Sequence, residues 1–377
     1  MTLFHEIDNE PRDYAWGQVD GVSRVRGTAA TGRREAELWL GAHPSLPSRA
    51  VGSDAPWATL QEWEQSTGER LPFLLKILCA DEPLSLQAHP SPAEAAAGFA
   101  RENAAGVPVD APNRNYRDPY AKPELIVALG EFEALCGFRA GDDVRADLDA
   151  LGALVPADAQ PALSTWRELL AGDDVKGAFL WLLSGDASIP ALVTAAVAAS
   201  ERDERFALLG TISEAHPGDP GILGALMLQH IVLAPGESLW LPAGNIHAYL
   251  RGAGIELMGP SDNVLRGGLT PKHIDTAELA AVLDPSAGGD HRLIPAPAGD
   301  GVTAFRPDGA GFALYAAAGD ATLDLPGVAI ALATDGEFVL AAGDESVAVP
   351  RGRAVFVAEA VSLRITGSGR LFVATAA

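Results

Sequence analysis

The stretch Leu233-Ala-Pro-Gly-Glu-Ser-Leu-Trp-Leu-Pro-Ala-Gly244 returns, with one residue inserted, as Leu340-Ala-Ala-Gly-Asp-Glu-Ser-Val-Ala-Val-Pro-Arg-Gly352. Each copy reads as a strand, a glycine-containing turn, a second strand and a Pro-x-Gly turn. Antiparallel strands punctuated in this way suit a double-stranded β-barrel, whose interior can hold a ligand. Further out, 40 glycines and 27 prolines break much of the chain into short apolar or β-branched segments. One region differs. Across 141–210 apolar residues recur at helical spacing, as in Lys176-Gly-Ala-Phe-Leu-Trp-Leu-Leu183, and Thr165-Trp-Arg-Glu168 has the form of a capping box. Another helix is predicted over 92–103 behind Ser91 as its cap, and 295–300 reads as a linker. The expectation is a mainly β chain with a helical insertion: two double-stranded β-barrels plus an α-helical domain. Residues 1–140 and 211–294 form the first barrel, 141–210 the insertion, and 295–377 the second barrel, which is open to strands from the N-terminal part.

A chain of 377 residues exceeds what one compact core usually organises. With 48% hydrophobic and 20% charged residues it can bury a large core, which excludes wholesale disorder. No apolar run reaches the ~20 residues that span a bilayer. The start is acidic and lacks a basic, signal-like region, so a cytoplasmic protein without a membrane partner is expected. Cys79 and Cys136 are too few for a disulfide framework or a cysteine zinc site, and their apolar surroundings suggest buried free thiols. A net charge of −23 argues against nucleic acid or an anionic membrane as partner. An anionic ligand would need a local cationic cluster to overcome that field. Four lysines stand beside 23 arginines, and Lys76, Lys122 and Lys272 all fall in motif-dense segments.

Leu84-Ser-Leu-Gln-Ala-His89 alternates apolar and polar residues, so on a strand Ser85, Gln87 and His89 share one face. Taken alone, this also fits an exposed sheet face. Turned into a barrel, such groups need partners, and a metal would satisfy Gln87 and His89 together. Lys122-Pro-Glu124 adds a carboxylate and a cation ahead of the strand-like Leu125-Ile-Val-Ala-Leu129. Alone, it reads equally as a solvated ion pair. Asn245-Ile-His247 follows the first Pro-x-Gly turn, where the second repeat has Arg353-Ala-Val355. The first barrel thus keeps a candidate metal ligand that the second has lost. Gln, His, Glu and His together suit zinc or a similar divalent ion with room for a substrate.

Several long motifs in order resemble the type I mannose-6-phosphate isomerases. They are Tyr14-Ala-Trp-Gly17, Ala36-Glu-Leu-Trp-Leu-Gly-Ala-His-Pro44, Leu84-Ser-Leu-Gln-Ala-His-Pro90, Tyr116-x-Asp118-x-x-x-Lys122-Pro-Glu124, Pro242-Ala-Gly-Asn-Ile-His247-Ala-Tyr249 and Ser261-Asp-Asn-Val-Leu-Arg266-Gly-Gly-Leu-Thr-Pro-Lys272. The resemblance implies two cupin-like barrels with a helical domain. It makes Gln87, His89, Glu124 and His247 the ligands of one zinc ion per chain, and Arg266 a catalytic residue. The implied reaction interconverts mannose 6-phosphate and fructose 6-phosphate through a cis-enediol or enediolate. Lys272 and Ser85, then Lys122, are the candidate phosphate contacts, Glu256 is a candidate proton-transfer group, and a monomer is expected. Where the family commonly has Asn-His-Lys-Pro-Glu, this chain has Tyr120-Ala-Lys-Pro-Glu124, so any hydrogen bond from that histidine is missing. Two other readings use the same ligands: a metal-organised sugar-phosphate-binding cupin without catalysis, and an iron cupin oxygenase, which the glutamine ligand and the cations disfavour.

Overall fold

The computed structural model describes residues 3–52, 55–172, 174–286 and 289–377. Strand residues outnumber helical ones, 32% against 26%, so the chain is mainly β with helical parts. All strand pairings between named strands are antiparallel, and they fall into two large sheet systems.

The first barrel is organised around one long strand, His247–Met258. Its opening half pairs with Gln87–Ala88 and Phe132–Phe138, and its later half with Leu74–Ala80 and Glu124–Ala128. The register shifts between Tyr249 and Arg251. At the bend Gly252 takes φ +125°, and a Cβ there would lie 2.7 Å from the Glu131 carbonyl oxygen, so only glycine fits. One strand thereby belongs to two facing sheets. Glu37–Leu40 and Ser238–Leu241 extend one, while Leu228–Leu233 and Leu265–Arg266 extend the other.

Alternation along these strands decides what each face meets. Leu78, Ala80, Ile126, Ala128, Phe132, Ala134 and Cys136 fill the interior. The same inward rows continue toward one end as Glu37, Lys76, Glu124 and Glu256, so that end of the barrel is polar. Outward residues of the opposite parity pack in two directions. Leu86, Ala88, Leu135, Ala248 and Leu250 meet the helices, and Leu38, Leu75, Ile77, Leu125, Ile255 and Leu257 meet the second barrel.

The helices continue past 210: Gly141–Gly152, Gln160–Ala171, Val175–Leu182, Ile189–Ala199, Ala207–Ala215 and Gly221–Leu226 form one layer. Thr165-Trp-Arg-Glu168 does not cap. It lies inside Gln160–Ala171, with the Thr165 hydroxyl donating to the Pro161 carbonyl. Ser91 does cap Pro92–Ala104 in a reciprocal box with Glu94. Asp173, in the acidic pair Asp173-Asp174, lies outside the described residues. Within 295–300, Ala296–Pro297 pairs with Val302–Phe305, so this stretch carries a short strand.

The second barrel is built on Ala329–Ala342 and Ser362–Ala376 and takes in Phe4–Asp8, which pairs with Ala354–Val357. Its interior is largely apolar, with buried Thr375 on the same strand face as Val373, and includes Val355, 1% exposed, at the position matching His247. Cys79 and Cys136 are buried free thiols, which burial pushes up to about 12. No helix among the described residues is long and apolar enough to cross a membrane.

Candidate active site

At the polar end of the first barrel three strands deliver His89, Glu124 and His247, all buried. Their nearest ligand atoms lie within 4.8 Å of one another. His89 Nε2 is 3.2 Å from Glu124 Oε1, and His247 Nε2 is 3.2 Å from Oε2. Both rings are fixed from behind. His89 Nδ1 lies 2.9 Å from the Asn263 carbonyl oxygen, and His247 Nδ1 lies 3.2 Å from that of Asn245. A carbonyl only accepts, so each Nδ1 carries the proton and each Nε2 presents a lone pair to the carboxylate. Burial outweighs the attraction of Glu124 and lowers the His89 pKa to about 4, which keeps that ring neutral. Its Nε2 has no hydrogen-bond partner. Acceptors facing acceptors in a buried space are satisfied by a cation between them. Burial opposes ionisation of Glu124, but the Lys122 ammonium, 2.6 Å away, holds its carboxyl well below the usual range.

Gln87 completes the set. It is the cross-strand neighbour of His247 and, on its other side, of Arg266, so the three form one row across the sheet. The Gln87 amide nitrogen donates to the Ser85 hydroxyl at 3.2 Å, which leaves the amide oxygen as the atom available to a metal. The residues fit zinc: two neutral imidazoles, one carboxylate and one amide oxygen. A narrow cavity of about 60 Å³ joins Gln87, Glu124 and His247 to Tyr249, Glu256, Lys76 and Glu37. Lys76 Nζ lies 2.9 Å from Glu256 and 3.5 Å from Glu37. Burial opposes the Lys76 charge, yet these two carboxylates raise its pKa, while burial raises that of Glu256.

A neighbouring cleft of about 760 Å³ shares Glu37, Lys76, Gln87 and Lys122 with this cavity and is lined also by Ser85, Arg266, Lys272 and Arg117. Sequence reasoning singled out Ser85, Gln87, Lys122, Arg266 and Lys272 but not Arg117. Arg117, Arg266 and Lys272 make no ion pair among the described residues, whereas eleven of the 23 arginines do. Partial burial and the Arg117 guanidinium lower the Arg266 pKa. Burial, Arg266 and Arg117 do the same to Lys272. Three mutually repelling cations on a chain of net charge −23 form a subsite for an anion. Asn263 was also missed: its backbone carbonyl meets His89, and its side chain accepts from the Arg117 backbone N–H and donates to the Asp118 and Tyr120 carbonyls. Only its place inside the quoted Ser261–Lys272 motif signalled it. A larger groove of about 1130 Å³, near Arg139, Asp143 and His230, contains none of the metal set.

Residues 4–141 match the model of the type I phosphomannose isomerase catalytic domain. Mannose-6-phosphate isomerase of Salmonella typhimurium is 35% identical across 97% of this chain and 98% of its own. This chain belongs to the type I phosphomannose isomerase family. The Escherichia coli isomerase is 36% identical over the same shares, and the human one 29% identical over 75% of this chain and 74% of its own. A zinc-bound mannose 6-phosphate isomerase structure superposes with a TM-score of 0.90 at 31% identity, covering 100% of both chains. Within this phosphomannose isomerase frame, Gln87, His89 and Glu124 fall in the matched segment 4–141, and His247 and Arg266 arrive from beyond it.

Proposed function

We propose that this protein is a zinc-dependent aldose–ketose isomerase that interconverts mannose 6-phosphate and fructose 6-phosphate through a cis-enediol or enediolate. Gln87, His89, Glu124 and His247 would hold one zinc ion per chain. The observation that carries the reading is the pairing of a buried acceptor-lined triad with an adjoining cleft where Arg117, Arg266 and Lys272 make no ion pair among the described residues. Bound zinc supplies a Lewis acid for sugar oxygens that gain negative charge.

The chain's own residues supply the rest. Lys272, Arg117 and Ser85 hold the phosphate, so that binding energy remote from the reacting carbons positions them. Arg266 lies in the row with Gln87 and His247, between the metal set and the phosphate cations, where its fork of donors stabilises charge developing on the substrate. Glu256, buried and oriented by Lys76, is the proton-transfer group on the cavity wall. Lys122 holds Glu124 ionised and borders the cleft, and Tyr14 and Trp16 line its N-terminal side.

The same reading takes the protein as a cytoplasmic monomer. Two buried free thiols suit a reducing compartment, and light scattering checks the mass. The deciding experiment follows mannose 6-phosphate by NMR with zinc-loaded protein. It should yield fructose 6-phosphate without oxygen uptake, at about one zinc per chain, and chelation should stop the reaction. Binding without turnover, or turnover that consumes oxygen, would refute the assignment.

A further inference from the structure

We infer that Asp219, at the end of the helical layer, is a positioning residue that sets the phosphate end of the cleft. Its carboxylate touches no substrate-lining atom in the row of metal ligands. Instead Oδ1 accepts from the backbone N–H groups of Gly221 at 2.7 Å and Leu269 at 2.9 Å, and Oδ2 accepts from Thr270 at 3.0 Å. Leu269 and Thr270 sit between Arg266 and Lys272, the two cations on that segment. The hold is needed because the backbone there is held away from its preferred conformations. Leu269 is buried and has φ +54°, a left-handed conformation unusual for a branched side chain. Gly268 has φ +123°, and a Cβ on it would lie 2.7 Å from Gly221 Cα, so the two segments touch backbone to backbone.

The same end of the helical layer also reaches the other side of the cleft. His216 Nε2 lies 2.8 Å from the Pro83 carbonyl oxygen, two residues before Ser85. Leu86 N–H donates to Gly268 at 3.0 Å, and Gly267 N–H donates to Leu86 at 2.8 Å, so the loop and the Ser85 strand are already stitched together. Asp219 therefore closes a frame in which Ser85, Arg266 and Lys272 keep fixed relative positions. An asparagine at 219 would put an N–H group against one of the three backbone donors, loosening the loop with little change in volume.

This inference rests on the phosphate being held by Lys272 and its neighbours, and the test separates the two. Zinc-loaded wild type, Asp219→Asn, Lys272→Ala and the double variant are compared for KM and kcat on mannose 6-phosphate, for competitive inhibition by inorganic phosphate, and for zinc content. Asp219→Asn should raise KM and the inhibition constant together by about tenfold, with kcat within about threefold and zinc unchanged. The double variant should be scarcely worse than Lys272→Ala alone, because both changes disable one contact. Gly268→Ala, which pushes the loop off Gly221, should show the same split if Asp219→Asn fails to fold. Wild-type KM and phosphate inhibition in Asp219→Asn, or effects that multiply independently with Lys272→Ala, overturn the positioning role. Unchanged KM in Lys272→Ala overturns the phosphate assignment itself, and the role of Asp219 with it.

Discussion

His89 shows how a single side chain states the chemistry of its site. Its Nδ1 proton is committed to the Asn263 carbonyl, and burial keeps the ring neutral, so Nε2 can only accept. In the metal-free protein this has a pH signature. The ring titrates near 6.5 in the unfolded chain and about 4 in the folded one, so between those values the unfolded state binds the extra proton. Stability contributed by the neutral ring is therefore complete above about pH 6.5 and lost progressively as pH falls toward 4, by about 3 kcal/mol at most. Urea unfolding of zinc-free protein across that range should show the slope, and His89→Gln should flatten it. Equal slopes in both proteins would mean the ring is already paired. Arg266 gives the kinetic counterpart. Arg266→Ala should lower kcat by ~10²–10³ with zinc content unchanged and KM moving less. Arg266→Lys should recover only part, since a point charge does not reproduce the planar fork. A large KM increase at unaltered kcat would make Arg266 a phosphate anchor only.

At the scale of elements, the two barrels repeat a strand–turn–strand–turn unit and use it differently. In the first, the third residue after the Pro-x-Gly turn opens the long strand as His247. In the second, its counterpart Val355 is sealed in an apolar interior. The second barrel's other face is where it contributes energy. Phe356 packs edge-on against Trp57 and Trp63, with ring centroids 5.8 and 4.9 Å away, in the cluster shared by both barrels. Phe356→Ala should cost ~3–5 kcal/mol of stability in chemical denaturation and leave KM for the substrate near wild type in the folded fraction. A cost under about 1 kcal/mol would show that the two barrels are less tightly coupled than this packing implies. The helical elements serve the site from the opposite side, through the clamp of Asp219 and His216 on the cleft.

The whole molecule unites these parts through one apolar interface. Strands from the first barrel present Leu38, Ile77, Leu125 and Leu257 to Ile330, Leu332, Phe356 and Phe372 of the second, and Phe4–Asp8 at the start of the chain pairs in the C-terminal sheet. A fragment of residues 1–294 would expose that face and strip Phe4–Asp8 of its partner strand Ala354–Val357. It should aggregate or melt without a cooperative transition and bind no stoichiometric zinc, as read by circular dichroism and metal analysis. A cooperative, zinc-binding fragment would refute the interdependence. How much of this was legible beforehand follows from the range of each signal. Alternation and turn residues are local, so strands, the Ser91 cap and the repeat of 233–244 were readable. The resemblance to the type I isomerases implied Gln87, His89, Glu124 and His247 as a ligand set. Arg117 was missed because an exposed arginine looks like 22 others until Arg266 and Lys272 stand beside it. Asp219 was missed because its partners are backbone N–H groups about fifty residues away, which carry no side-chain signature. Thr165 was misread because a capping pattern identifies a helix start only when the chain is not already helical before it. The sequence by itself determined the local periods, the ligand types and the surplus of negative charge. Tertiary structure alone decided which strand is shared by two sheets, which cations lose their acids, and which backbone groups a distant carboxylate fixes, because those depend on distances in space that separation along the chain does not encode.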